Sequence, residues 1–327
     1  MASLADPLNV RNFTLRNRLV FPPILTNLAS FDGSVNERLI EHYIIRSAYV
    51  GMVIVEASYV SETGKYVERQ LSVHDDRMVQ GLRKLAQKVH EKGATIVLQI
   101  VHSGSKCSLP NITPLSPSSD GRSKEITKEE IKAVVEDFAM AAQRAVIAGF
   151  DGVEVHGAHG FLVNQFFSPL TNKRLDEYGG TLENRMRFPL EVVEAVKCKI
   201  GNKLLLYRLG ADDLHPEGVS IDDSKALARK LEEKGVDIID VSGGVCGSRP
   251  AQFETVEGYF IPQAREIKKA VNVPVIGVGG IRSFEYANMV IEKGYVDLVA
   301  VGRMILKDPE WAKMALEHAN IVKKMKQ

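Results

Sequence analysis

Two histidines three residues apart, His156 and His159, stand in the stretch VEVHGAHGFLVNQFFSP (153–169), framed by Gly157 and Gly160. Imidazoles so close together suit a metal pair, a catalytic pair that donates or moves protons, or two core histidines. Spacing alone leaves all three open. On a helix such positions share a face, but the two glycines argue against a helix. On a strand they point to opposite faces. Both rings reach one ligand only if the chain leaves a strand at GAHG.

Other short pieces carry binding chemistry. Gly279 and Gly280 in GVGG, and Gly302 with Arg303 in the following GR, combine backbone N–H groups open to an anion with a bidentate charge. They suit a phosphate; glycines that merely permit tight turns would look the same. Gln99 and Arg208 end apolar runs, where a satisfied core amide or a structural ion pair is equally at home. Combined with a phosphate grip, they suit a flat heteroaromatic ring carrying donors and acceptors.

Eight apolar, β-rich runs must position these groups: RLVFPPI, GMVIVEA, TIVLQIV, GVEVHG, LLLYRLG, IIDVSG, VPVIGVGG and LVAVGR. Being continuous rather than alternating, they read as strands of a parallel sheet buried on both faces. Amphipathic helices separate them. Thr127 with Glu130 has capping-box spacing, and Ser220 opens the segment ending at Gly235 in the same way. EKG recurs before strands, placing Gly93, Gly235 and Gly294 where a helix stops. Eight βα units predict a closed (β/α)₈ barrel, one domain over residues 1–327. The competing doubly wound sheet needs a glycine-rich turn after its first strand, and FPPILTN has no glycine. A barrel carries its chemistry at the C-terminal strand ends, where every group named above falls.

Composition excludes several functions. Forty-two basic against 41 acidic residues leave a net charge of +1, no basis for binding nucleic acid or an anionic membrane. The 3 cysteines are scattered, which excludes a disulfide framework and points to a reducing, cytoplasmic setting. The N-terminal stretch lacks the pattern of a secretion signal, and no apolar run approaches the roughly 18 residues of a membrane span.

The block HGAHGFLVNQFFSPLTNKRLDEYGGTLENRMRF resembles the signature of the old yellow enzyme family of FMN-dependent oxidoreductases. NRLVFPP, IVEASYV, LQIVHSG, YRLGADD, VGGI and LVAVGRMILKDPEW extend the resemblance along nearly the whole chain. It implies FMN as cofactor. Pro23, Ile24, Leu25 and Ala57 would lie against the flavin, and Gln99 would bond its pyrimidine edge. Arg208 would stand where the ring becomes negative on reduction, while Gly279, Gly280, Gly302 and Arg303 would hold the phosphate. His156 and His159 would donate hydrogen bonds to the substrate oxygen, with no metal.

The chain departs from the family pattern in particular places. Phe161 stands where most members have the tyrosine that protonates the substrate. Leu25 replaces a polar residue beside the flavin, and Asn27 an aromatic lid residue. Its length resembles that of the single-domain members. The implied activity is hydride transfer from NADH or NADPH to an electron-poor acceptor, whether activated alkene, quinone or nitro compound, with a homo-oligomer possible. A flavin-free barrel lyase or isomerase gripping a phosphorylated substrate, and a flavin-binding module without catalysis, are the alternatives.

Overall fold

The computed structural model describes residues 2–326. Its barrel strands are β1 Leu19–Phe21, β2 Met52–Tyr59, β3 Thr95–Val101, β4 Gly152–Gly157, β5 Leu204–Gly210, β6 Ile238–Ser242, β7 Val275–Gly277 and β8 Leu298–Ala300. All run parallel in chain order, and β8 pairs back to β1 to close the barrel. After them in turn come α1 Glu37–Ser47, α2 Val79–His90, α3 Lys128–Ile147, α4 Leu182–Ile200, α5 Ile221–Glu233, α6 Ile261–Lys268, α7 Phe284–Glu292 and α8 Trp311–Met325. This is the expected (β/α)₈ barrel, not a doubly wound sheet. The capping boxes at Thr127 and Ser220 both form. Gly93, Gly235 and Gly294 end their helices at positive φ.

Strands β1, β7 and β8 are shorter than the apolar runs that announced them. Pro22 and Pro23 have no N–H to continue a ladder, so β1 stops at Phe21. The chain past β7 turns away through Gly279 and Gly280, at φ 119° and 65°. Both glycines are required there as glycine, since a Cβ on Gly279 would sit 2.8 Å from Phe260 N.

Alternate strand residues face opposite ways. Outward side chains such as Val53, Leu98, Val153, Leu205 and Ile239 pack on the helices. Inward ones form layers. Val20, Met52, Ile54, Val97, Leu204, Leu206, Ile238, Ile276 and Leu298 make an apolar floor. A hairpin of Leu8–Val10 and Phe13–Leu15 closes the floor from below with Val10 and Leu15. One step higher the inward positions of β3 to β6 turn polar: Gln99, Glu154, Arg208 and Asp240. Above that layer lie His156 and Ser242.

A bulge interrupts the alternation in β2. Val55 opposes Leu98 but Ser58 opposes Ile100, so β2 holds one residue more than β3 between these pairs. Glu56 consequently turns out to Tyr43 on α1, and Ala57 turns in. Such bulges re-aim side chains near sites.

The long loop after β4 contains the short helix Leu162–Phe167 and braces itself. Asn172 Nδ2 donates to the carbonyls of Phe166 and Tyr178, both at 2.7 Å. Arg174 reaches the loop after β3, donating to Pro117 O at 3.0 Å and Ile126 O at 2.8 Å. Among the described residues, no helix is long and apolar enough to cross a membrane.

Candidate active site

At the C-terminal end of the barrel lies a cavity of about 450 Å³. Pro23, Ile24, Leu25, Ala57, Gln99, His156, His159, Arg208, Gly279, Gly280, Gly302 and Arg303, the residues nominated from sequence, all line it.

The chain does leave the strand at GAHG. His159 and Gly160 take left-handed backbone conformations, with φ 59° and 71°. That turn brings the two rings 5.1 Å apart, edge to face. His159 N–H donates to Gly243 O at 3.1 Å, and its Nε2 lies 2.7 Å from Ser242 Oγ. A left-handed histidine is strained, and these ties across the barrel mouth hold it. Ala158 N–H donates to His156 Nδ1 at 3.3 Å, which puts the proton of a neutral ring on Nε2. Burial, reinforced by the charge of Arg208, drives both imidazoles well below the ordinary histidine range. Both are therefore neutral at physiological pH, and His156 keeps its Nε2–H to donate.

At the opposite end Gly279, Gly280 and Gly302 open a backbone cradle. A Cβ on Gly280 would lie 3.0 Å from a terminal nitrogen of Arg303, so only glycine leaves the guanidinium room. Among the described residues Arg303 has no acidic partner, so its charge is free for an anion. Between the two ends, Gln99 Nε2 donates to Glu154 Oε1 at 2.8 Å, and an Arg208 terminal nitrogen lies 3.2 Å from Asp240 Oδ2. Arg208 Nε is buried without a partner. A flat ring with acceptors, joined to a phosphate, satisfies this donor set; FMN is such a molecule.

Other lining residues carried no sequence signal. Gln70 Nε2 donates to Ala57 O at 2.7 Å and fixes the backbone of the bulge. Tyr259 packs beneath the glycine cradle and donates to Ser248 O at 2.9 Å. Ser248 and Arg249 also line the wall. Asn27 falls instead in a neighbouring groove with Val67, Arg69 and Leu109. Cys246 does not line the cavity: its thiol donates to Asp212 O at 3.3 Å, and burial pushes it up to about 11.

Glu56, exposed on neither face, has Oε2 bonded by Thr26 and Tyr43 while Oε1 is bare. Burial raises its carboxyl from 4.5 to about 7. A raised folded-state value means stability is complete below the unfolded value and is lost as pH climbs through the folded one. Between pH 4.5 and 7 the protein should lose on the order of 3 kcal/mol through this group. Glu56→Gln should flatten that slope and be the more stable form at pH 8, as read from urea unfolding at several pH values. Parallel curves for both proteins would show that Glu56 is ionised throughout.

Residues 3–321 match the model of the NADH:flavin oxidoreductase / NADH oxidase family. An NADH oxidase of Thermoanaerobacter brockii is 43% identical over 94% of this chain, and an NADPH dehydrogenase of Geobacillus sp. (strain WCH70) 39% identical, also over 94%. The chain spans about half (50%) of the length of the Thermoanaerobacter protein and 92% of the Geobacillus one. The solved old yellow enzyme homologue of Zymomonas mobilis is 27% identical and superposes with a TM-score of 0.83, over 97% of this chain and 93% of that one. With that fold, that cavity and those relatives, the chain belongs to the NADH:flavin oxidoreductase / NADH oxidase family, FMN-dependent enzymes of the old yellow enzyme type.

Proposed function

We propose that the cavity holds FMN and that the chain carries hydride from NADH or NADPH to an electron-poor acceptor: an activated alkene, a quinone or a nitro compound. The observation that carries this reading is a pair of neutral histidines, His156 buried and His159 half-buried, at one end of a cavity whose other end is a glycine cradle with a free arginine. FMN supplies the chemistry of accepting a hydride from the nicotinamide and yielding it to the acceptor. Gly279, Gly280, Gly302 and Arg303 grip the phosphate. Pro23, Ile24, Leu25 and Ala57 form the wall against the ring, and Gln99 and Arg208 meet its polar edge. His156 and His159 donate to the acceptor's carbonyl or nitro oxygen, favouring the charge that develops there during transfer. Because these residues come from all parts of the barrel, residues 1–327 act as one FMN-binding unit.

Family membership removes the flavin-free lyase; a module without catalysis is removed only by turnover. The purified protein should be yellow and should bleach under anaerobic NADH or NADPH. Phenols should bind as phenolates and give a long-wavelength band, because two N–H donors favour the anion. His156→Ala/His159→Ala should keep FMN and lose the band. FMN that resists both nicotinamides would sink the catalytic reading, and a band surviving in the double variant would sink the donor assignment.

A further inference from the structure

At the bottom of the cavity four polar side chains occupy consecutive strands β3 to β6, Gln99 and Arg208 lining it and Glu154 and Asp240 beneath. Gln99 pairs in register with Glu154, and Arg208 with Asp240. Glu154 and Asp240 are both completely buried, and Gln99 and Arg208 nearly so. Among the described residues the only cation in contact with either carboxyl is Arg208, on Asp240 Oδ2 at 3.2 Å. Glu154 has one oxygen on Gln99, while Oε2 is buried and bare. Two fully buried carboxyls thus stand beside one guanidinium, which contacts only Asp240.

We propose that Glu154 and Asp240 hold one proton between them, on Glu154, and act as positioning residues for the reaction. Asp240 neutralises and orients Arg208, while neutral Glu154 orients the Gln99 amide. The proposal rests on the reading that the cavity above holds FMN.

The charge count decides it. Two ionised carboxyls against one guanidinium would leave one net negative charge in the dry layer, under the place where hydride transfer delivers more. One retained proton makes the layer neutral. Neither Asp240 oxygen nor Glu154 Oε2 has a hydrogen-bond partner, but Arg208 is in ion-pair contact with Asp240 alone, so Asp240 keeps the charge and the proton belongs on Glu154 Oε2. Burial pushes both carboxyls upward; the charge of Asp240 adds to the rise at Glu154, while Arg208 opposes it at both. The floor beneath offers no counter-charge, since Ile54 on β2, Ile276 on β7, Leu298 on β8 and Val20 on β1 are apolar. From above, the groups facing the layer are the neutral imidazoles of His156 and His159, with Lys106 beyond them.

The neutral carboxyl also has a consequence for Gln99. Its amide gives one N–H to Glu154, so the second N–H and the carbonyl oxygen remain for a ligand edge. Glu154→Gln keeps an acceptor at that position, whereas Glu154→Leu frees the amide to flip.

The test uses Glu154→Gln, which exchanges a neutral group for a neutral one of the same shape. The infrared difference between the unaltered protein and Glu154→Gln, recorded separately for the FMN-free and FMN-bound forms, should contain the carbonyl stretch of a buried protonated carboxyl. The midpoint potential of bound FMN, followed across neutral pH, should be the same in Glu154→Gln as in the unaltered protein. Glu154→Leu should weaken FMN binding about tenfold by fluorescence titration, through loss of the fixed amide. Absence of the protonated band, or a potential driven upward in Glu154→Gln, would mean that Glu154 is ionised and overturn the assignment. The band is read in FMN-free protein as well, so failure to bind FMN would sink the parent reading and leave this one to be judged on its own spectrum.

Discussion

Phe161→Tyr should raise the rate of enone reduction by roughly 10²–10⁴-fold, the usual worth of a placed general acid, and leave quinone turnover nearly unchanged. A hydride added to an alkene leaves negative charge on carbon, and that carbon must be protonated in place. Quinones and nitro groups take their protons on oxygen, which exchanges freely with water. Phe161 lies on the cavity wall with its ring 4.8 Å from that of His156, close enough for a hydroxyl there to meet a substrate bound by the histidines, and a phenyl ring has no proton to give. Cys246, held on Asp212 O outside the cavity, does not substitute. Tyr66 does line the cavity, its ring 5.5 Å from Phe161, and Tyr66→Phe is the necessary control. The measurement is rapid mixing of the reduced protein with cyclohexenone and with a benzoquinone. Equal gains for both acceptors, or an enone reaction already fast in the unaltered protein and lost in Tyr66→Phe, would show that the acid is not missing.

Arg208→Ala should cost about 3–5 kcal/mol of stability, because it leaves the buried carboxylate of Asp240 without its only cation. Urea unfolding of the FMN-free protein reads this directly. The deficit should shrink as pH is lowered, since Asp240 then escapes its isolation by taking a proton. Adding Asp240→Asn should recover much of the loss at neutral pH, a coupling that independent sites do not show. With FMN bound, the midpoint potential should fall, as the positive charge that Arg208 would set against the reduced ring is gone. A variant with unchanged stability and unchanged potential would contradict both roles given to Arg208.

Much of the barrel was legible because its signals are local. Continuous apolar runs, capping boxes at Thr127 and Ser220, and glycines ending helices are each written within a few residues. The candidate site was legible for a related reason: a barrel gathers its strand ends, so residues at those ends meet whatever the details. What could not be read depends on partners far along the chain. Arg208 was expected either to serve a ring or to make an ion pair, and it makes the pair with Asp240 on the next strand while still lining the cavity. The inward turn of Ala57 follows from a register mismatch between two strands, which no single stretch records. Gln70 sits in an unremarkable polar loop, and only the folded chain sets it against Ala57 O. Asn27 follows Leu25 closely in the chain, yet its left-handed backbone, at φ 55°, sets it in a neighbouring groove, which local sequence does not record.

Arg174 ties the loop after β4 to the loop after β3 through two backbone carbonyls, and its remaining edge is closed by Asp176. Neither loop can lift while these bonds stand, so the cover over the third strand and the turn bearing His159 form one cooperative unit in the sense of native-state hydrogen exchange. Amides on both loops should therefore open together in hydrogen exchange, and Arg174→Ala should lower their protection in parallel.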